Sequence, residues 1–398
     1  MAAAGIVAGA AIWFTTGWLL HTTGQVMDRD PKATGADKAK VRVDTVRTGL
    51  AAGAGAGAAV GLMLAFRRQA HAEHDTAERR ITELYNAAAE QLGSDKAPVR
   101  LTALYTLERL ANDNPRHRQT IVNIVCAYLR MPWTPPASEA SPTDQQRAAT
   151  RRFHAARAGA SSAVSSPPTS EPDPHEERQV RLTAQRILMT HLQPDAAPYW
   201  SGIDLDLSDA TLTLFTLARC RLSGANFSGA TFSRGASFRQ ARFLGSASFE
   251  RATFSGHVSF EAEFCGGASF IDMKVNGHAL FDEAIFGDET WFYRMEVGGT
   301  ASWQGARFGG DTWFHQARFN GDAWFRRVEF SHKAVFEGTI FGGQADFRDA
   351  RVGGDLDLTG TRLADRTLAH VLPLGWQIEP SEGNTGRFAR PPAPANGT

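Results

Sequence analysis

Residues 235–260 read GASFRQARFLGSASFERATFSGHVSF, and a phenylalanine returns every five or six positions: Phe238, Phe243, Phe249, Phe254 and Phe260. Two places before each stands a small residue: Ala236, Ala241, Ala247, Ala252 and Val258. Residues i and i−2 share one face of an extended strand, so each pair sends a large and a small side chain to the same side. A fixed internal period is the mark of a repeat architecture.

Followed outward, the beat runs from Leu207 to Leu363 through 30 centres: 20 Phe, six Leu, three Val and Trp303. At i−2, 18 of the 30 positions are Ala, so large and small side chains together can fill a narrow interior. The step is five from Leu207 to Phe232 and then alternates six and five, with one step of four between Phe260 and Phe264. The six-residue steps usually open with glycine, as at Gly266-Gly267, Gly298-Gly299, Gly309-Gly310, Gly342-Gly343 and Gly353-Gly354. Glycine at an extra corner residue predicts positive φ there. Steps of five and six fit neither a helix nor a long alternating strand; they fit a chain that turns a corner after each repeat.

The triplets ANF at 225–227, ATF at 230–232 and 252–254, and ADF at 345–347 meet the motif A-(D/N)-(L/F)-x-x. This stretch resembles the pentapeptide-repeat family. The resemblance implies a mainly β fold, a right-handed quadrilateral β-helix with one repeat per side. Its 30 centres would make about 7.5 coils, and with strands about 4.8 Å apart the rod would be roughly 35 Å long. Some members of that family mimic duplex DNA and inhibit or protect gyrase. Mimicry needs a strongly acidic rod, whereas residues 203–363 hold 16 basic and 20 acidic residues, a net charge of −4, with the signs interspersed.

The whole chain of 398 residues is balanced, with 42 basic and 42 acidic side chains, which removes any global attraction to nucleic acid. Two uncharged stretches open it, Ala2 to Leu20 and Thr48 to Phe66. Each is about long enough to cross a bilayer. Gly49, Gly53, Gly57 and Gly61 recur every four residues on the second, a spacing that lets transmembrane helices approach closely. A signal peptide and a flexible Ala/Gly tract are the rival readings. The expected placement is a multi-pass cell-membrane protein, in contact with lipid through two helices. Cys126, Cys220 and Cys265 form no paired spacing and favour a cytoplasmic soluble part.

The expected organisation is a transmembrane helix at 1–23, a charged connector at 24–47 and a second transmembrane helix at 48–66. A helical region with a HEAT-like hairpin follows at 67–131, with Ser94 as a helix N-cap, and then a disordered linker at 132–175. A capping helix at 176–202 leads into the β-helix at 203–363, a C-terminal cap at 364–379 and a disordered tail at 380–398. A membrane anchor, QLGSDKAPVRLTALYTLERLA and then the repeats resemble, in that order, membrane proteins of actinobacteria.

No catalytic constellation is legible, and the sequence points to neither an enzyme nor a cofactor. His71 and His74 in HAEHD lack the zinc-protease spacing. The outward i−1 positions carry more information. Two faces are mostly charged there, while Trp291, Trp313 and Trp324 occupy the others. Trp291 and Trp313 are 22 residues apart, one full coil; Val335 extends that column, and Tyr293 and His315 flank it. The strip is read either as a surface for a protein partner or as a face covered from within the same chain. A membrane-tethered, non-catalytic scaffold, self-associating or holding another protein, is the function expected. Nucleic-acid binding is disfavoured.

Overall fold

The computed structural model describes residues 9, 13–22, 25, 34–135 and 173–390. The chain forms two compact units, Met1–Leu84 and Tyr85–Thr398.

The first unit contains helix α1 (13–22) and most of helix α2 (Gly35–Leu92), whose last residues belong to the second unit. Gly49 lies against α1: a Cβ there would meet Thr16 Oγ1 at 2.9 Å, whereas Gly57 and Gly61 face open space. Gly53 lies within the same helix.

The expectation of two transmembrane helices is corrected, because among the described residues no helix is long and apolar enough to cross a membrane. The multi-pass membrane placement and the lipid contact fall with it. Residues 48–66 are not a separate span but the middle of a helix with charged residues at both ends. In them only Leu50, Val60, Leu62, Met63, Leu64 and Phe66 are large and apolar; the rest are Ala, Gly and Thr48, which gain little from lipid. The described helical part of the first stretch, 13–22, spans about 15 Å, half of a hydrocarbon core. Apart from residue 9, its other residues lie outside those described.

The second unit begins with a helical cap. Pro98 sits in the first turn of α3 (Ala97–Asp113), where a missing N–H costs nothing. The N-cap is Lys96, not Ser94 as expected, although Ser94 Oγ accepts the Lys96 N–H at 3.2 Å. Asn114 and a short Pro115–His117 turn break the chain into α4 (Arg118–Arg130). Helix α5 (Pro174–His191) starts on Asp173, whose side chain accepts the His175 N–H. The three helices bury Leu104, Leu107, Ile121, Val125, Val180 and Leu188 between them. They also close the first coil of the solenoid. Gln119 pairs both ways with the Asp204 backbone at 2.8 and 2.9 Å, and Arg130 reaches Asp206 at 2.5 Å. The Arg221 N–H donates to the Leu192 carbonyl at 2.9 Å. Fully buried Trp200 stacks on His191 and donates to Asn112 at 2.9 Å. Residues 136–172, most of the expected linker, lie outside the described residues.

From Asp204 the chain coils into a four-sided solenoid of parallel strands, mostly two residues long. The first face runs from Asp204–Asp206 to Leu356–Asp357 in eight strands, hence about seven turns. The second stacks Thr253–Phe254, Lys274–Val275 and Glu296–Val297; the third, Val258–Ser259, Ala279–Leu280 and Ala301–Ser302; the fourth, Glu263–Phe264, Ile285–Phe286 and Arg307–Phe308. Of the 30 centres, 29 are buried and Val352 is partly so. Phe270, Phe292, Phe314 and Phe336 stack at 4.9, 4.6 and 4.6 Å, and rings on neighbouring faces, such as Phe286 and Phe292, meet edge-on. The four-residue slip does not break this order: Phe264 still lies on Phe243 at 5.0 Å, in a turn one residue shorter.

The glycine pairs act differently from expectation. From Phe238 to Gly360 positive φ falls elsewhere, two places after centres of the first and third faces, and mostly on other residues: Asp272, Glu283, Arg294, Gln316 and Arg327. The paired glycines keep ordinary φ but lie against the backbone of the preceding turn. A Cβ on Gly298 would meet the Asn276 carbonyl at 2.6 Å, and one on Gly310 the Asp288 carbonyl carbon at 2.5 Å. Close stacking of corners, not left-handed backbone, requires glycine here.

The C-terminal end also departs from expectation. Strands Gln377–Pro380 and Gly386–Ala389 form a hairpin, and the second runs antiparallel to Arg362–Leu363. Phe388, in the stretch read as a disordered tail, is buried 6.0 Å from the Phe341 ring and plugs the last coil. Of the residues expected to cap this end, Leu372 and Trp376 pack on the core, while Leu374 is fully exposed. Residues 391–398 lie outside those described.

Candidate interaction surface

A strand of two residues followed by a corner leaves one side chain per turn pointing straight out of each face. On the first face this column reads Ser248, Ser269, Trp291, Trp313, Val335 and Asp357. Parallel in-register pairing places Trp313 directly on Trp291, and the two indoles stack at 5.6 Å with 5° between their planes. Gly267 makes room for the first of them: a Cβ there would lie 3.3 Å from the Trp291 ring. Val335 continues the column and is nearly buried.

A second ladder flanks the first. Tyr293 and His315 stack at 5.1 Å and 5°, and Glu337 lies next along, 3.3 Å from His315 Nδ1. Between the ladders runs a groove of about 400 Å³, floored by these rings with Val335 and Ile271. Because each ring is covered by the next, the ladders present edges rather than faces to solvent. Beside the groove, the Arg294 guanidinium lies 4.3 Å from the Tyr293 ring and grips Asp272 through two hydrogen bonds of 2.6 and 2.5 Å. That grip holds the Asp272 carboxyl below its usual range and the Arg294 guanidinium above its own.

Five of the six residues singled out from sequence therefore share one groove. Trp324 does not. It stands on the third face, opposite, where Arg326 packs over it at 5.0 Å and pairs with buried Asp346 at 2.6 Å. Its indole nitrogen is buried without a hydrogen-bond partner. Sequence reasoning missed Ile271 and Glu337, which line the same groove. Counting one turn back from Tyr293 and one forward from His315 finds both.

A family model described as pentapeptide repeats (9 copies) matches residues 217–262, 281–329 and 323–367. The solenoid is built of pentapeptide repeats. The break in the match, between 262 and 281, begins just beyond the four-residue step at Phe260, where these repeats lose their regular spacing. Neither the comparison with curated proteins nor that with solved structures returned a match. In this pentapeptide-repeat solenoid the groove lies within matched repeats, apart from Ile271.

Proposed function

We propose that this chain is a non-catalytic scaffold whose pentapeptide-repeat solenoid holds a protein partner against its first face. The observation that carries the reading is the pair of stacked ladders, Trp291–Trp313 and Tyr293–His315, around one groove. Clusters of exposed Trp and Tyr are where binding energy concentrates in protein interfaces. The rigid Phe stacks beneath fix their positions, so little order has to be gained on binding. Duplex-DNA mimicry is not favoured, because Arg221, Arg242, Arg307 and Arg351 stand outward along the fourth face.

The test compares the wild-type chain with a Trp291→Ser, Trp313→Ser variant in quantitative crosslinking from native extract. Light scattering of both purified proteins runs alongside. A partner held by the wild type and lost by the folded variant is the expected outcome; a dimer lost in the same way would name a second copy as that partner. Identical capture and identical mass for both proteins would refute the proposal.

A further inference from the structure

The groove has a charge as well as an apolar floor. Glu337 and Asp357 line it, and Glu289, Asp311 and Asp355 stand in the column that Lys333 shares, three places before the first-face centres. Among the described residues lining the groove, Lys333 is the only ammonium or guanidinium group. Asp272 and Arg294 nearby neutralise each other.

The carboxylates of the fourth face are different. Arg242 meets Glu263 at 3.0 Å, and Glu329 lies between Arg307 at 3.7 Å and Arg351 at 3.4 Å. The second face is net basic, with Lys274, Arg318 and Arg362 outward against Glu296. Around the aromatic groove, by contrast, no arginine or lysine side chain forms an ion pair with those five carboxylates among the described residues; His315 lies 3.3 Å from Glu337, and Lys333 and Arg390 act on Asp357 from beyond pairing distance. Several instead accept backbone N–H groups, Asp311 from Lys333 at 3.1 Å and Asp357 from Thr359 at 2.9 Å, which holds them in place as fixed charges. One face of a nearly neutral rod thus combines an apolar floor with an excess of negative charge.

From this complementarity we infer that the groove takes an extended cationic segment of a partner protein, with arginine or lysine alternating with large apolar side chains. The apolar side chains settle between the Trp and Tyr–His ladders. The cations lie over the rim, where arginine can pair with carboxylates in two-point fashion. An extended strand repeats a side chain on one face about every 6.6 Å, so a few residues cross the four turns from Ile271 to Val335. This rests on the proposed function above and adds the chemistry of the partner.

The test uses the full chain and two labelled ten-residue probes, one alternating Arg/Lys with Leu/Trp, the other with Glu replacing every cation. Fluorescence anisotropy should show the cationic probe binding and the acidic one not, with affinity falling as salt rises. Trp291→Ser with Trp313→Ser should weaken binding by about thirtyfold. Asp311→Asn with Asp357→Asn, which keeps both backbone acceptors, should weaken it by roughly three- to tenfold. Equal binding of both probes, or of the cationic probe to all variants, would overturn the inference. So would cationic binding that emerges only when residues 143–159, which carry Arg147, Arg151, Arg152 and Arg157, are replaced by Gly/Ser, since the chain's own segment would then be the occupant. Loss of a captured partner in the Trp variant without any cationic binding would leave the proposed scaffold standing and remove only this inference.

Discussion

Glu177 and Arg181 stand one turn apart on α5 and meet at 2.7 Å in the interior of the helical cap. Arg181 also donates to the carbonyls of Leu129 and Met131, which ties α5 to the end of α4. The Tyr128 hydroxyl donates to the same carboxylate at 2.9 Å, and burial pushes its pKa up, so it stays a donor. Arg100 Nη2 lies 3.1 Å away without hydrogen-bond alignment, so that contact is Coulombic. One carboxylate is therefore shared by two arginines that are each only 3% exposed.

Glu177→Gln keeps the shape and removes the charge. Two buried guanidinium groups are left uncompensated, which costs about 3–5 kcal/mol. Thermal unfolding followed by circular dichroism should show a large fall in Tm, and amide exchange should quicken in Asp204–Asp206, which the cap covers. A Tm within a degree of wild type would show that the cap does not depend on this charge.

Glycines of two kinds should respond in opposite ways. Gly310→Ala drives a Cβ into backbone at 2.5 Å and should cost about 1–3 kcal/mol. Gly305 has positive φ but open space, its nearest neighbour being Glu283 Cγ at 3.6 Å, and Glu283 itself holds the same conformation one turn earlier. Gly305→Asn should therefore cost less than about 1 kcal/mol. Paired denaturant titrations check the contrast, and the reverse order would refute the stacking argument.

Thiol reactivity should separate the three cysteines. Burial pushes both Cys126 and Cys220 up to about 12, so the thiolate is scarce at pH 8. Cys265 lies at the surface of the fourth face and is partly exposed. Titration with a chromogenic disulfide should count one rapidly reacting thiol in the folded protein and three in denaturant. Rapid reaction of a second thiol in the folded protein would contradict the packing described.

Asp272 supplies a pH-dependent term. Its carboxyl lies below its ordinary 3.8 because Arg294 donates to it. A depressed carboxyl pKa stabilises the fold above its unfolded value, and that contribution disappears as the pH falls through the folded value. Asp272→Asn should lower Tm slightly at pH 7, by less in high salt because the pair is half-exposed, and the gap to wild type should close as the pH falls below 3.8 and through the folded value. A gap that persists in acid would mean the substitution acts by some route other than charge.

The fold was legible wherever its cause was periodic. Phe281, Phe286, Phe292 and Val297 announce four sides because each has to fill the same narrow interior. The stacking of Trp313 on Trp291 follows from the same count. What the beat does not carry was misread. Phe388 lies outside it, so the plug of the last coil could not be seen, and a glycine pair looks the same whether it serves a turn or a close contact. The Ala/Gly run around Gly53 and Gly57 was weighed by its lack of charge rather than by its few large apolar side chains. The charge of the rod was legible in total but not by face. Along the chain the signs alternate, yet residues 22 apart return to the same side, and there they sort.

That return gives the molecule a ruler. Inserting or deleting a whole turn of 22 residues within 264–363 would lengthen or shorten the rod by one strand spacing and leave every later side chain at its bearing. Inserting a single repeat would swing everything beyond it by a quarter turn, bringing the fourth-face arginines round to where carboxylates had stood. Point substitutions redecorate a side; only changes in whole turns keep its address. Surfaces on the four sides can therefore be altered independently, each through a set of positions one turn apart.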